Sequence, residues 1–133
     1  MPAALWEAAA DTALDRPLAG AGSGAFLEAS IRHQDPPPVR FAHNLPLETW
    51  AELGAAGALL ILGLYAYCAG LVWVRRHSGA CLLLGPGILA FLTANLFDWS
   101  WHVPASTALF AIALGALAAD PARTSMRGEA GSE

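Results

Sequence analysis

Three long stretches of this chain contain no Asp, Glu, Lys or Arg. They cover residues 53–74, 78–97 and 99–119, and are 22, 20 and 21 residues long. A helix needs about 20 consecutive apolar residues to cross a lipid bilayer. In a soluble fold these stretches would be three buried core helices, but 133 residues are too few to cover them. We therefore predict an all-α integral membrane protein with three transmembrane helices, at about 53–74, 79–97 and 103–119.

The composition agrees with this prediction and excludes one large class of function. The chain is 56% hydrophobic and only 14% charged, whereas about 25% of the residues in soluble domains are charged. It has seven Arg, no Lys and eleven acidic residues, which give a net charge of −4. A protein that binds nucleic acid needs a basic surface to neutralise phosphates. We therefore expect a lipid bilayer as a partner and no nucleic acid.

The arginines and tryptophans predict how the three helices lie in the membrane. Arginines occur at 75–76, between the first two stretches, and at 123 and 127, after the third. Because cytoplasmic segments are enriched in Arg and Lys, we expect residues 1–50 to lie outside and 120–133 to be a cytoplasmic tail. Tryptophan favours both membrane interfaces, and four tryptophans fall at the ends of the predicted spans: Trp50, Trp73, Trp99 and Trp101.

The first 50 residues predict short helices joined by loops. A helix is expected at 4–14, followed by glycines at 20, 22 and 24 and by an extended segment at 35–38 with three prolines. The glycine stretch is either a phosphate-binding loop or a flexible turn, and the lack of a preceding strand favours the turn. Asn44 can cap a helix that begins at Leu45 and continues into the first transmembrane stretch.

Polar residues that could carry chemistry cluster just before that helix. Arg40, His43 and Asn44 lie close together in sequence. A helix N-terminus suits an anion, an arginine can bind phosphate with two hydrogen bonds, and a histidine can act as a general base. Arg32 lies near the same face and is a further candidate for binding substrate. The alternative is that these are ordinary polar surface residues.

A second polar group lies between the last two stretches. Asp98 and His102 are on the same predicted face of the membrane as His43, and are either solvated at the interface or paired in a polar cavity. A zinc site formed by His33, His43 and His102 lacks the usual ligand spacing. We therefore predict no metal and no cofactor.

Four sequence stretches resemble the C-terminal part of the O-antigen ligase and O-antigen polymerase superfamily of bacterial membrane glycosyltransferases. The most specific of them is AHNLPLETWAELGAAG at 42–57, which leads into a transmembrane helix. The other three are LWEAA at 5–9, RPLAGAGSGAF at 16–26 and FDWSWHVPA at 97–105.

This resemblance implies a reaction. Such enzymes transfer a glycan from an undecaprenyl-diphosphate carrier to an acceptor sugar hydroxyl, on lipid A–core or on a growing polysaccharide, without a metal. By resemblance His43 is the catalytic base, and the other motif positions are supporting polar residues: Glu48, Glu52, Asp98 and His102. Arg40, Asn44 and Arg32 are assigned to substrate binding by proximity.

The resemblance also implies a location and a missing partner. The chain would be a multi-pass protein of the bacterial inner membrane, with residues 1–50 in the periplasm. Because the family's earlier transmembrane helices have no counterpart here, an N-terminal part on a separate chain is an expected partner. Two alternatives remain open, namely a non-catalytic small membrane protein that packs on a partner subunit, and a fragment of a transporter.

Overall fold

The computed structural model describes residues 2–34 and 38–121, and these residues form helices and loops without strands. The five α-helices are α1 (Pro2–Asp15), α2 (Phe26–Ser30), α3 (Leu45–Arg75), α4 (Gly79–Ala94) and α5 (Pro104–Ala119), and a short 3-10 turn covers Ser100–His102. The all-helical prediction is thus confirmed. Most of the proline segment and the tail from residue 122, with Arg123 and Arg127, lie outside the described residues.

The start of α3 follows from local sequence. Asn44 has an extended backbone, and its side-chain oxygen accepts a hydrogen bond from the Leu47 N–H at 3.0 Å. Pro46, in the first turn, needs no hydrogen-bond partner for its nitrogen. The predicted Asn44 cap is confirmed, and α3 runs from there through the first charge-free stretch.

α3 is interrupted at Gly54, where φ is 64° and ψ is −155°. This conformation is open in practice only to glycine, and it frees carbonyl groups in the turn before it. The Ala51 carbonyl accepts a hydrogen bond from the Ala21 N–H at 2.9 Å, and the Glu52 carbonyl accepts one from the Gly22 N–H at 2.8 Å. The kink is therefore the place where the N-terminal loop joins α3.

The side chains pack into two apolar clusters. The first lies between α1, α2 and the beginning of α3 and contains Ala9, Ala13, Phe26, Ala42 and Ala51. The second lies between the rest of α3 and helices α4 and α5, and contains Cys68, Cys81, Ile88, Leu92, Phe110 and Leu117. The N-terminal helices are thereby fixed to one end of a three-helix unit.

Two hydrogen bonds define how the three long helices are arranged. The Tyr65 hydroxyl donates to the Leu92 carbonyl at 2.9 Å, which joins the middle of α3 to the end of α4. Arg75 donates from Nη2 to the Ala118 carbonyl at 3.1 Å, which joins the C-terminal ends of α3 and α5. α3 and α4 are therefore antiparallel, and the polar groups before α3 lie at the same end of the unit as the turn before α5.

The outer surface of the three-helix unit is apolar. Within the described residues α3 is the helix long and apolar enough to cross a membrane, and only 17% of its most hydrophobic window is buried. α4 and α5 have 16 residues each. Large apolar side chains on all three helices are more than 65% exposed, namely Leu59, Leu60, Leu82, Leu83, Leu109 and Ile112.

Candidate functional site

A buried asparagine joins the loop before α3 to the loop after α4. Asn95 is fully buried, and its backbone carbonyl accepts a hydrogen bond from the Leu45 N–H at 2.8 Å. Its side-chain oxygen accepts one from the Trp101 N–H at 2.7 Å. Asn44 adds a third link by donating from its side chain to the Leu96 carbonyl at 3.2 Å. Two segments that are about 50 residues apart in sequence are thus held together, and Asn44 has a structural role at this junction.

Glu48 and His102 form the shortest contact between these two segments. His102 Nε2 lies 2.6 Å from Glu48 Oε1, and the Ala42 N–H donates to Glu48 Oε2 at 2.8 Å. The Glu48 side chain is 7% exposed and the His102 side chain is 33% exposed. A buried carboxylate whose two oxygens both accept hydrogen bonds therefore orients an accessible imidazole ring.

Aromatic stacking fixes the plane of that imidazole ring. The Phe41 and His102 rings stack with their centroids 4.0 Å apart, and Trp99 stacks near the Phe41 ring at 5.9 Å. The Arg40 guanidinium lies 5.5 Å from the centroid of the Phe41 ring. A cation within about 6 Å of an aromatic face is attracted to it. Phe41 therefore positions both Arg40 and His102.

Glu52 has a different role from Glu48. Its carboxylate accepts hydrogen bonds from the Gly24 N–H at 2.9 Å and from the Phe26 N–H at 3.1 Å. The glycine stretch therefore binds a carboxylate and backbone carbonyls of α3 in this structure. At Gly20, where φ is 69°, an added Cβ atom would lie 2.2 Å from the Glu52 carbonyl oxygen. The close approach of the two backbones explains why glycine stands there.

These groups border an open cavity of about 980 Å³. Its polar end contains three glutamates, one arginine and one histidine, namely Glu28, Glu48, Glu52, Arg40 and His102. Its other end follows α3 along Leu53, Gly57, Leu60, Ile61 and Leu64. The cavity thus combines a polar mouth with an apolar wall that continues along the longest helix.

His43 is not one of the residues that line this cavity. Its backbone is left-handed, with φ at 52°, and its Nδ1 lies 3.0 Å from the Phe41 carbonyl oxygen. Because a carbonyl only accepts hydrogen bonds, Nδ1 is the donor, and in the neutral ring Nε2 is the acceptor. The side chain is partly exposed, so Nε2 of the neutral ring can accept a proton.

Two of the predicted site residues lie away from the cavity. Arg32 contacts Asp15 Oδ2 at 2.5 Å, at the end of α1. Asp98 accepts hydrogen bonds from the Trp99 N–H at 2.7 Å and from the Ser100 hydroxyl at 2.9 Å, and so shapes its own turn. No group of three or more His, Cys, Asp or Glu side chains within the described residues is arranged to hold a metal ion.

The structure adds residues that sequence reasoning did not select. Phe41 and Asn95 hold the residues of the cavity mouth in place, yet neither of them was selected from the sequence. Phe41 lies between Arg40 and His43 in the sequence, and its position between two candidate residues is the signal that could have identified it. Asn95 ends α4 inside an apolar stretch, and a buried amide there needs partners, although the sequence does not show which ones.

Comparisons with protein-family models, with curated proteins and with solved structures found no match for this chain.

Proposed function

We propose that this chain forms part of an O-antigen ligase-like membrane glycosyltransferase. The reaction is transfer of a glycan from undecaprenyl diphosphate to a sugar hydroxyl, either on lipid A–core or on a growing polysaccharide. The observation that carries the proposal is the cavity, since its polar mouth and apolar wall match a substrate with a charged head and a hydrocarbon chain. The resemblance of residues 42–57 to the family supports the same reaction.

The exposed apolar surface supports insertion into a membrane. A core helix of a soluble protein is mostly buried, whereas the apolar window of α3 is 17% buried. At about 1.5 Å per residue, the uninterrupted part of α3 after the kink, residues 55–75, extends about 31 Å. The 16 residues of α4 and of α5 extend about 24 Å, against a hydrocarbon core of about 30 Å. The two shorter helices are therefore too short to cross this core by themselves. Either the uncharged residues next to them also lie in the membrane, or the bilayer is locally thinner.

The proposed location is the bacterial inner membrane. Arg75 and Arg76 mark the cytoplasmic end of the three-helix unit, and the cavity mouth opens at the other end, on the periplasmic side. In this arrangement α1, α2 and the first turns of α3 form a periplasmic cap on the helices. Carrier-linked glycans would reach the mouth from the outer leaflet, along the apolar wall.

The residues at the cavity mouth have two different roles in the proposed reaction. Arg40 neutralises the charge that develops on the leaving diphosphate, because a guanidinium can bind two phosphate oxygens at once. A histidine accepts the proton of the acceptor hydroxyl. The resemblance assigns that role to His43, and the cavity presents His102 as a second candidate.

The proposal is tested in the cells that carry this gene. We expect deletion to cause carrier-linked glycan to accumulate and transferred glycan to disappear, and a copy of the gene to restore both. A copy with Arg40→Lys should restore transfer about tenfold less well, because a point charge replaces the planar donor pair. Arg76→Lys, at the opposite end of the unit, is the matched control.

Two results would contradict the proposal. Unchanged glycan transfer in the deletion strain would remove the enzymatic function and favour a non-catalytic membrane subunit. Equal restoration by the Arg40→Lys and Arg76→Lys copies would remove Arg40 from the site.

A further inference from the structure

We infer that His102 is the catalytic base of this cavity and that Glu48 is its positioning residue. The inference rests on the proposed glycan transfer, and it specifies which histidine meets the acceptor hydroxyl. Its starting point is the contact between Glu48 and His102, which come from different parts of the fold. Glu48 belongs to the first turn of α3, and His102 precedes α5.

The hydrogen bonds determine which nitrogen of His102 can accept a proton. A carboxylate accepts hydrogen bonds and does not donate them. Because Glu48 Oε1 lies 2.6 Å from His102 Nε2, Nε2 carries the hydrogen, and in the neutral imidazole the lone pair is on Nδ1. The other carboxylate oxygen is occupied by the Ala42 N–H at 2.8 Å, so the carboxylate is fixed at both oxygens. A histidine base oriented by a buried carboxylate is an arrangement that recurs in general-base catalysis.

The other three histidines lack this combination. His43 contacts a backbone carbonyl, His33 contacts the partly exposed Asp15 at 2.8 Å, and His77 is exposed at the opposite end of the three-helix unit. Among the chain's four histidines, all of which lie in the described residues, only His102 has both a buried carboxylate partner and a place in the lining of the cavity. Arg40, which lines the same mouth, provides the positive charge for an anionic leaving group.

The proposed step is balanced without a further reactant. The acceptor hydroxyl gives its proton to His102 Nδ1 while its oxygen forms a bond to the anomeric carbon of the donor glycan. The bond from that carbon to the phosphate oxygen breaks, and its electron pair leaves with undecaprenyl diphosphate. The imidazolium that results is stabilised by the Glu48 carboxylate and then releases the proton to water.

The first test replaces His102 by an amide that keeps a hydrogen-bond donor for Glu48. In the gene-replacement assay, His102→Gln should lower glycan transfer by about 10²- to 10⁴-fold, the usual contribution of a general base. The amount of protein in the membrane should stay unchanged, and His77→Gln should retain full transfer. Transfer by His102→Gln within twofold of wild type would overturn the inference. So would loss of transfer in His43→Ala together with its retention in His102→Gln.

The second test separates positioning from structural support. In Glu48→Gln the new amide oxygen must accept the Ala42 N–H, so the amide nitrogen faces His102 Nε2. The hydrogen of the imidazole then moves to Nδ1, and the group that should accept the proton is blocked. Nitrogen NMR of labelled histidine in the purified full chain should show Nε2–H in wild type and Nδ1–H in this variant, with transfer reduced as in His102→Gln.

The outcomes of the second test distinguish the inference from the function it rests on. A reversed tautomer with normal transfer, or Nδ1–H in the wild-type protein, would overturn the role of His102. If gene deletion itself leaves glycan transfer unchanged, the proposed function is wrong, and the inference about His102 is wrong with it. If deletion abolishes transfer and both variants restore it, the function stands and the inference alone fails.

Discussion

Asp15, at the end of α1, is held by two side chains that follow α2. Its Oδ2 atom lies 2.8 Å from His33 Nε2 and 2.5 Å from Arg32 Nη2. The hydrogen bond from His33, followed by the contact with Arg32, lowers the pKa of Asp15, although desolvation acts in the opposite direction. A carboxyl group whose pKa is lower in the folded state stabilises the fold above its unfolded pKa. That stabilisation is lost as the pH falls through the folded value.

A pH-dependent stability follows from this residue. We expect Asp15→Asn to lower the unfolding temperature slightly at neutral pH, where the wild-type carboxylate is charged and paired. The difference in unfolding temperature between this variant and wild type should shrink once the pH falls below about 4, the usual pKa of an unfolded aspartate. It should vanish below the pKa of Asp15 in the folded protein. Thermal unfolding in detergent, followed by tryptophan fluorescence from pH 7 to pH 2, measures this effect.

The matched control is Asp11→Asn, which removes an exposed carboxylate from the same helix. Its unfolding temperature should follow that of the wild type across the pH range. A constant difference between Asp15→Asn and wild type at all pH values would show that the ion pair is not the cause.

Asn44 and Asn95 illustrate which structural roles can be predicted from the sequence and which cannot. The role of Asn44 as a helix cap is predictable, because its partner, Leu47, is three residues away and the capping preference is local. The role of Asn95 is not, because its partner Leu45 belongs to a distant segment of the sequence and reaches it through the fold. The Glu48–His102 contact likewise joins residues 54 positions apart, so the sequence predicted both residues as supporting groups without pairing them.

At the scale of elements, the kink in α3 depends on two glycines from different segments. An added Cβ atom at Gly54 would lie 2.3 Å from the Leu18 carbonyl oxygen, and one at Gly20 would meet the Glu52 carbonyl. Each glycine makes room for the other segment's backbone. The kink therefore places Glu52, and with it one side of the cavity mouth, against the N-terminal loop.

Gly54→Ala tests this coupling. The substitution adds a Cβ atom in a conformation that costs about 1–3 kcal/mol for other residues, in addition to the clash with Leu18. We expect the N-terminal loop to detach, so that a protease cleaves between residues 16 and 24 at least tenfold faster than in wild type. Gly63→Ala is the control, because nothing lies within 4 Å of its Cβ position and its backbone is helical. Alanine there should stabilise α3 by about 0.5–1 kcal/mol. Equal cleavage rates in the two variants would contradict the proposed coupling.

Helix boundaries were predictable where local chemistry sets them. The predicted helix at 4–14 is confirmed within α1, and α3 begins where the Asn44 cap predicts. Proline inside a helix favours a kink, yet α4 remains helical through Pro86 and the two glycines beside it. The actual break is at Gly54, where docking of a distant loop compensates the lost helical hydrogen bonds. A local pattern cannot show that compensation.

At the scale of the whole molecule, charge is confined to the two ends of the apolar helices. One end contains Arg75, which contacts Asp120 at 3.8 Å, and the other contains the cavity mouth. The charge-free stretches made this separation predictable from sequence alone. The cavity was not predictable, because it arises where the N-terminal cap, the kinked helix and the turn before α5 meet.

The proposed orientation in the membrane can be measured with single cysteines in a chain whose two buried cysteines, Cys68 and Cys81, are replaced by alanine. Leu14→Cys, on the exposed side of α1, should react with a membrane-impermeant maleimide from outside the cell. His77→Cys, in the turn after α3, should react only in inside-out vesicles, because the arginines beside it favour the cytoplasm. Reaction of both positions from the same side would contradict the proposed topology, in which α3 crosses the membrane once between them. It would place the cavity mouth and Arg75 on one face of the membrane. Recovery of the protein in the soluble fraction would instead mean that a partner covers the exposed leucines of α3, α4 and α5.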